Sequence, residues 1–202
     1  LVHFSLHCLH PFLQCLNFVL EMFVLCFRVT ELAVQSRFLC VELGNLIADA
    51  VIAETGVDIA FQNGGGIRAD IDAGEISLGE VINVLPFGNL VSTFELSGAD
   101  VVATLENSVS RINLGDDGNP SLDDASGRFM QVGGLRYTYD ATQEAGSRIV
   151  SVEVMQDGEY AAIDADAMYT VAGNDFIRGG GDGYDMLENN AVNAYDAGRP
   201  LD

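Results

Sequence analysis

Two glycine-rich segments carry the side chains best suited to hold a ligand. The first, Asn63-Gly-Gly-Gly-Ile-Arg68, sets three glycines between an amide and a guanidinium. Gly64, Gly65 and Gly66 free the backbone to take positive φ and to bring its amides close to a ligand. Arg68 has the planar fork that grips a phosphate through two parallel hydrogen bonds. The pattern is not G-x-G-x-x-G, and taken alone it also fits a tight connection. The second segment, Asn174-Asp-Phe-Ile-Arg-Gly-Gly-Gly-Asp-Gly-Tyr184, holds Phe176 six residues before Asp182. A ring that stacks on a base and a carboxylate that accepts from ribose hydroxyls suit a nucleoside. A third segment, Leu85-Pro-Phe-Gly-Asn89, presents Phe87 on a turn, although by itself that ring reads as core.

The residue inventory excludes several other chemistries. The chain has 30 acidic and 9 basic residues, a net charge of -21, and every basic residue is an arginine. Such a surface repels phosphate backbones and anionic membranes, so nucleic-acid binding is set aside. All 4 cysteines and all 3 histidines lie within the first 40 residues. Beyond Cys40 there is therefore no Ser–His or Cys–His nucleophile and no imidazole-bearing metal site. The absence of lysine removes a P-loop. Carboxylate catalysis of the glycosidase type would need a close acid pair, with Asp175, Asp182 and Asp185 as candidates, but acids abound here and discriminate nothing. Gly180–Glu188 fits one copy of a calcium nonapeptide that works only in tandem. Asp116-Asp-Gly-Asn119 misplaces the glycine of an EF-hand loop.

The elements that must position these residues alternate between helix and strand. Leu43–Glu54 has helical periodicity and is ended by Gly56. Val57–Phe61 reads as a short buried strand running into the first glycine loop. Ser77 caps a helix through Val84, ended before Pro86. Leu90–Leu96 alternates as a strand, and Ser97 caps a second helix from Gly98 to about Ile112. Asp116–Gly127 reads as an acidic loop. Strands follow over about Met130–Tyr139, Arg148–Met155 and Met168–Ala172, the last running into the second glycine loop. The expected fold is a single α+β domain with a mixed β-sheet flanked by helices.

Residues 1–41 differ in character. Pro11–Phe27 is strongly apolar, interrupted by Gln14, Asn17 and Glu21, and is marginal against the ~20 apolar residues of a membrane span. It lacks the basic flank and cleavage site of a signal peptide. A truncated or mis-assembled segment is the preferred reading; a membrane anchor and a helix packed on the domain are the alternatives. His3, His7 and His10 lack a nearby carboxylate to complete a metal site.

Four segments, Asn63–Arg68, Leu85–Asn89, Gln131-Val-Gly-Gly-Leu-Arg136 and Gly180-Gly-Asp-Gly183, resemble in order and spacing the C-terminal domain of 5′-nucleotidases, the family of periplasmic UDP-sugar hydrolases and ecto-5′-nucleotidases. The resemblance runs from about Glu42 to Glu188. It implies a substrate-binding domain over residues 42–202, with residues 1–41 outside it. It implies that Phe87 and Phe176 sandwich the base, Asp182 holds the ribose, Asn63 meets the base edge, Gly65 lies in the ligand loop and Arg68 binds phosphate. It also implies a phosphoric-ester hydrolase family acting in nucleotide catabolism. There, two divalent metal ions are held by an N-terminal metallophosphatase domain with which this domain is partnered. Nothing in the chain corresponds to that domain, so no catalytic and no metal-binding residue is assigned, and the chain is expected to bind nucleotides or nucleosides without hydrolysing them. The implied location is periplasmic, cell-surface or extracellular. One departure concerns the stretch before Leu43-Gly-Asn-Leu46: Leu39-Cys-Val-Glu42 lacks the arginine that members carry, unless Arg37 stands in out of register. The alternative is a binding or adhesion module that keeps the fold without the enzyme.

Overall fold

The computed structural model describes residues 43–71, 74–119, 127–196 and 198–201. The expectations for residues 1–41, including the apolar stretch, the histidines and Arg37, lie outside the described residues, as does most of the acidic loop.

Helix α1 covers residues 43–55. It closes where Gly56, at φ 71, donates its N–H to Ile52 O at 2.7 Å. Only a residue without Cβ takes that left-handed turn at no steric cost. Strand β1 (Ile59–Asn63) follows, then a short 3-10 turn over Gly64–Gly66. Helix α2 (Leu78–Val84) carries the expected cap as a full capping box. Ser77 Oγ accepts from Glu80 N, and Glu80 accepts in return from Ser77 N. Strand β2 (Val91–Ser97) leads through the Ser97 cap into helix α3 (Gly98–Val109).

The expected strand over Met130–Tyr139 is two strands in two sheets. They are β3 (Met130–Gly133) and β4 (Leu135–Tyr139). Gly134 breaks the run at φ 73, and a Cβ there would lie 1.9 Å from Asp58 O. The remaining elements are β5 (Ile149–Gln156), β6 (Glu159–Ala162), β7 (Met168–Asn174), α4 (Asp175–Arg178), α5 (Asp185–Asn190) and β8 (Val192–Tyr195). Strands β6 and β8 were not expected from the sequence.

Among the described residues the strands form a five-stranded sheet in the order β3-β1-β7-β2-β8 and a three-stranded sheet β4-β5-β6. The larger sheet is mixed, as expected: β1 and β7 run parallel, and the other pairings are antiparallel. Its side chains alternate between two cores. Ile59, Phe61, Phe94, Leu96, Tyr169 and Val171 pack with Val101 and Leu105 of α3, with Val152 and Val154 of β5, and with Ile177, Tyr184 and Leu187. Ala60, Val91 and Ala172 face the other way, against Ala48 and Val51 of α1. This two-residue period is what a strand covered on both faces requires.

The pairing decides where the ligand segments emerge. The parallel strands β1 and β7 end at Asn63 and Asn174, at one edge of the sheet. The antiparallel strand β2 begins there, since Val91 faces Asn174, and β3 begins there too, since Met130 faces Asn63. Both glycine loops, the Phe87 turn and the approach Gly127–Phe129 therefore converge on that edge. Such a crevice beyond the carboxyl ends of parallel strands is the usual ligand position in mixed α/β sheets.

Candidate functional site

At the converging loops lies a cleft of about 300 Å³. Asn63, Gly65, Phe87, Phe176 and Asp182 all line it, and Gly66, Asn89 and Gly127 complete the wall. Residues 119 positions apart in the chain thus share one small space. Both rings are unusually open for phenylalanine, Phe87 at 60% and Phe176 at 47% exposure. Single exposed apolar side chains are common, but two such rings open onto one cleft offer a paired apolar contact surface.

Each wall has a local cause. In β7, Asn174 caps the single turn of α4: its Oδ1 accepts from Ile177 N at 3.0 Å. That turn lifts Phe176 to the rim while Ile177 is buried beneath. Gly180 then turns at φ 85, and Asp182 sits at φ 57, ψ 18, in the left-handed region. Aspartate tolerates that region better than most side chains, at a cost of about 1 kcal/mol. Two hydrogen bonds hold it there. Asn63 Nδ2 donates to Asp182 Oδ2 at 2.8 Å, and Asn107 Nδ2 donates to Asp182 O at 3.3 Å. Arg128 braces Asn107 from behind through Nη1, which donates to Asn107 Oδ1 at 2.9 Å and to Ser110 Oγ at 3.1 Å. Tyr184 Oη in turn donates to Arg128 O. Burial pushes the Tyr184 phenol well above its ordinary range, so it remains a neutral donor.

The Phe87 turn is tied to the Phe176 turn. Asn89 Nδ2 donates to Asp175 Oδ1 at 2.7 Å, and Asp175 N donates to Leu90 O at 2.9 Å. The partners stand two residues after one ring and one residue before the other, so these bonds set how far apart the rings stand. The C-terminal segment backs the same turn: Val91 N donates to Arg199 O, and Leu201 N to Asn89 O.

Arg68 does not line the cleft. It is exposed, with its guanidinium 6.0 Å from the Phe87 ring centre. Among the lining residues Asp182 alone is charged, so the interior favours hydroxyl and ammonium donors. Asn63 is 3% exposed, and both ends of its amide are engaged within the protein: Asn174 Nδ2 donates to its Oδ1 at 2.9 Å.

Sequence reasoning missed Asn89, Asn107, Gly127, Arg128 and Asn174. For Asn174 a signal existed, because asparagine ahead of a short helix is a preferred cap. Asn107 and Arg128 carry no such mark. A larger groove of about 580 Å³ lies between α1, α2 and the C-terminal segment. Aliphatic side chains such as Leu43, Ile47, Val81 and Leu201 dominate it, and the glycine loops stand apart from it. It lacks the convergent polar groups that orient a small ligand. Among the described residues no group of three or more His, Cys, Asp or Glu side chains could hold a metal ion. No helix among them is long and apolar enough to cross a membrane.

With this geometry in place, the likeness to known proteins is specific. Residues 28–189 match the family model for the 5′-nucleotidase C-terminal domain, a match that starts upstream of the Glu42 boundary read from the motifs. The trifunctional nucleotide phosphoesterase protein YfkN of Bacillus subtilis is 41% identical over 150 residues, covering 72% of this chain and 10% of that protein. The snake venom 5′-nucleotidase of Macrovipera lebetinus is 34% identical over 175 residues, covering 78% of this chain and 40% of its own. The crystal structure of the 5′-nucleotidase precursor from Thermus thermophilus superposes with a TM-score of 0.71 at 43% identity, covering 79% of this chain and 30% of that one. The chain thus spans between one tenth and two fifths of the length of these relatives. It belongs to the family of 5′-nucleotidase C-terminal domains.

Proposed function

We propose that the cleft is a nucleoside and nucleotide subsite, the substrate-recognition half of a 5′-nucleotidase-type hydrolase. The observation that carries this reading is the meeting of two half-open phenylalanines and one carboxylate in a single cleft of about 300 Å³. That volume is at the small end of ligand pockets and suits one base with its sugar. The base stacks on Phe87 and Phe176. The ribose hydroxyls donate to Asp182. The 5′-phosphate points out toward Arg68 at the rim, where a bidentate hold is possible but solvent weakens it.

The groups in this cleft can bind and orient; they do not make a phosphatase. Hydrolysis of a phosphate ester needs charge stabilisation at the phosphoryl group, which two metal ions supply in many phosphatases. The side chains around the cleft do not fit such a pair of ions. In this reading the catalytic metals sit in the metallophosphatase domain that the family resemblance implies, and the cleft presents the substrate to it. The names of the relatives, a snake venom enzyme among them, support a periplasmic, cell-surface or extracellular setting.

Titration of the full chain with adenosine and AMP tests the reading. Phe176→Ala should weaken both by about tenfold, the scale of one base–aromatic stack. AMP should bind within a few-fold of adenosine, because the phosphate end holds one exposed arginine. Unchanged affinity in Phe176→Ala would remove the stacking role. Metal-dependent release of phosphate from AMP by this chain would overturn the division of labour. Absence of binding at millimolar nucleotide would leave a fold kept for adhesion.

A further inference from the structure

Four amide side chains, Gln62, Asn63, Gln131 and Asn174, are buried in the sheet behind the cleft at 2–7% exposure. Three of them form a chain of hydrogen bonds, and its direction is fixed by one end. The N–H of Ile177 can only donate, so the atom of Asn174 that meets it at 3.0 Å must be the amide oxygen. Asn174 then turns its nitrogen toward β1. That nitrogen donates to Asn63 Oδ1 at 2.9 Å and to Gln62 Oε1 at 3.5 Å. Gln62 agrees with this direction, since its own nitrogen donates to Asn63 O at 3.1 Å. With its oxygen facing Asn174, Asn63 must face Asp182 with its nitrogen, at 2.8 Å. The reverse arrangement would set the Asn174 nitrogen against the Ile177 N–H, two donors facing each other in a buried place. Gly66 leaves room for the chain: a Cβ there would lie 2.4 Å from Gln62 Nε2 and 3.0 Å from Asn63 Oδ1.

We propose that Asn174 is a positioning residue that sets the direction of a relay through Asn63 to Asp182 and thereby makes the cleft selective for ribose hydroxyls. Asp182 receives a donor on one oxygen and so remains an acceptor, held in its left-handed conformation with its remaining lone pairs available. A vicinal diol supplies the matching donors; a sugar without hydroxyls leaves the second carboxylate oxygen without a ligand donor. Asn63 thus acts by orienting Asp182. The inference rests on the nucleoside reading of the cleft for its ligand, and on the hydrogen bonds alone for the relay.

The test is Asn174→Asp in the full 202-residue chain. The new carboxylate still caps α4 by accepting from Ile177 N, yet has no proton for Asn63. Asn63 turns over to donate to it and sets an oxygen against Asp182. Adenosine binding should fall by about tenfold or more, the loss of one hydrogen bond to a charged group. Binding of 2′,3′-dideoxyadenosine should change by less than about twofold, because that ligand never uses Asp182. Equal weakening of both ligands, or an unchanged preference for adenosine, overturns the relay. The side-chain amide protons of Asn63, followed by NMR without ligand, give a second readout. Slow exchange with solvent in the wild type and a changed resonance in Asn174→Asp support the relay; solvent-like exchange in the wild type overturns it. If the wild type binds neither nucleoside, the nucleoside reading fails while the amide spectrum still decides the relay.

Discussion

A methyl group added at Gly181 should disable base stacking without touching the ligand. Gly181 lies beneath the Phe176 ring. A Cβ there would sit 2.5 Å from Phe176 O, 2.6 Å from its Cζ and 2.7 Å from its Cε1. Ordinary carbon contacts are about 3.5–4.0 Å, so the ring must retreat by about 1 Å, and the carbonyl of α4 must give as well. Overpacking of this kind costs about 1–3 kcal/mol. Part of that is relieved here because the ring is at the surface and can swing out. Swinging out is what removes the stack, worth about 1–3 kcal/mol per base. Gly181→Ala should therefore weaken adenosine by about tenfold, with a modest fall in melting temperature. Calorimetric titration measures the first and thermal denaturation the second. The affinity should also become insensitive to a second change, Phe176→Ala, since the ring would already have left its place. Full affinity in Gly181→Ala, or additive losses in the double variant, would refute the view that the Phe176 ring is held in place by the glycine beneath it.

Other consequences are simpler to read. Asn89→Ala removes the bond to Asp175 that ties the two aromatic turns. Amide hydrogen exchange should rise at Gly88 and Asp175 while the buried turns of α3 stay protected, and adenosine should weaken by a few-fold, about the worth of one hydrogen bond. Gly79→Ala should stabilise the protein by about 0.5–1 kcal/mol in denaturant unfolding, because Gly79 lies inside α2 with only Ser77 Oγ, at 3.9 Å, near a new Cβ. Stability should fall at high pH. Burial pushes the Tyr137 phenol up to about 12 and raises Tyr184 as well. Both folded-state values lie above the unfolded value near 10, so the stabilisation is complete below about pH 10 and is lost as pH rises toward 12. The chain has no lysine to mask this window. Melting temperatures from about pH 9 to 12 should drop, and Tyr137→Phe should flatten the decline.

Local signals in the chain located much of the fold. Ser77 and Ser97 marked helix starts because their hydroxyls meet free N–H groups, and the structure shows both caps. The glycine loops stood out because their composition has few uses besides turns and ligand approach. Where two structural demands competed, the sequence was harder to read. Over Met130–Tyr139 the apolar positions change phase at the Gly133-Gly134 pair, from Met130 and Val132 to Leu135, Tyr137 and Tyr139, and that shift was the available clue that the chain changes sheets there. The cause is the distant backbone of Asp58, which leaves no room for a side chain. Strand β6 is exposed along its whole length and has no inward apolar period. Its turn, Asp157-Gly158 with both residues at positive φ, was the available clue. Strand β8 is equally exposed. The buried amides are the deepest case: Asn63 and Asn174 are polar side chains that normally read as surface. Only the pairing of β1 beside β7 shows that they satisfy each other. The convergence of Phe87, Phe176 and Asp182 on one cleft likewise follows from strand order, which no single motif encodes.

The most direct test of the nucleoside subsite is to follow backbone amides of the full chain by NMR while AMP is added. Binding there predicts saturating shifts at Gly65, Asn89, Phe176 and Asp182, with a smaller response at Arg68. Shifts confined to the apolar groove around Leu43, Val81 and Leu201, or no shifts at millimolar AMP, would contradict it.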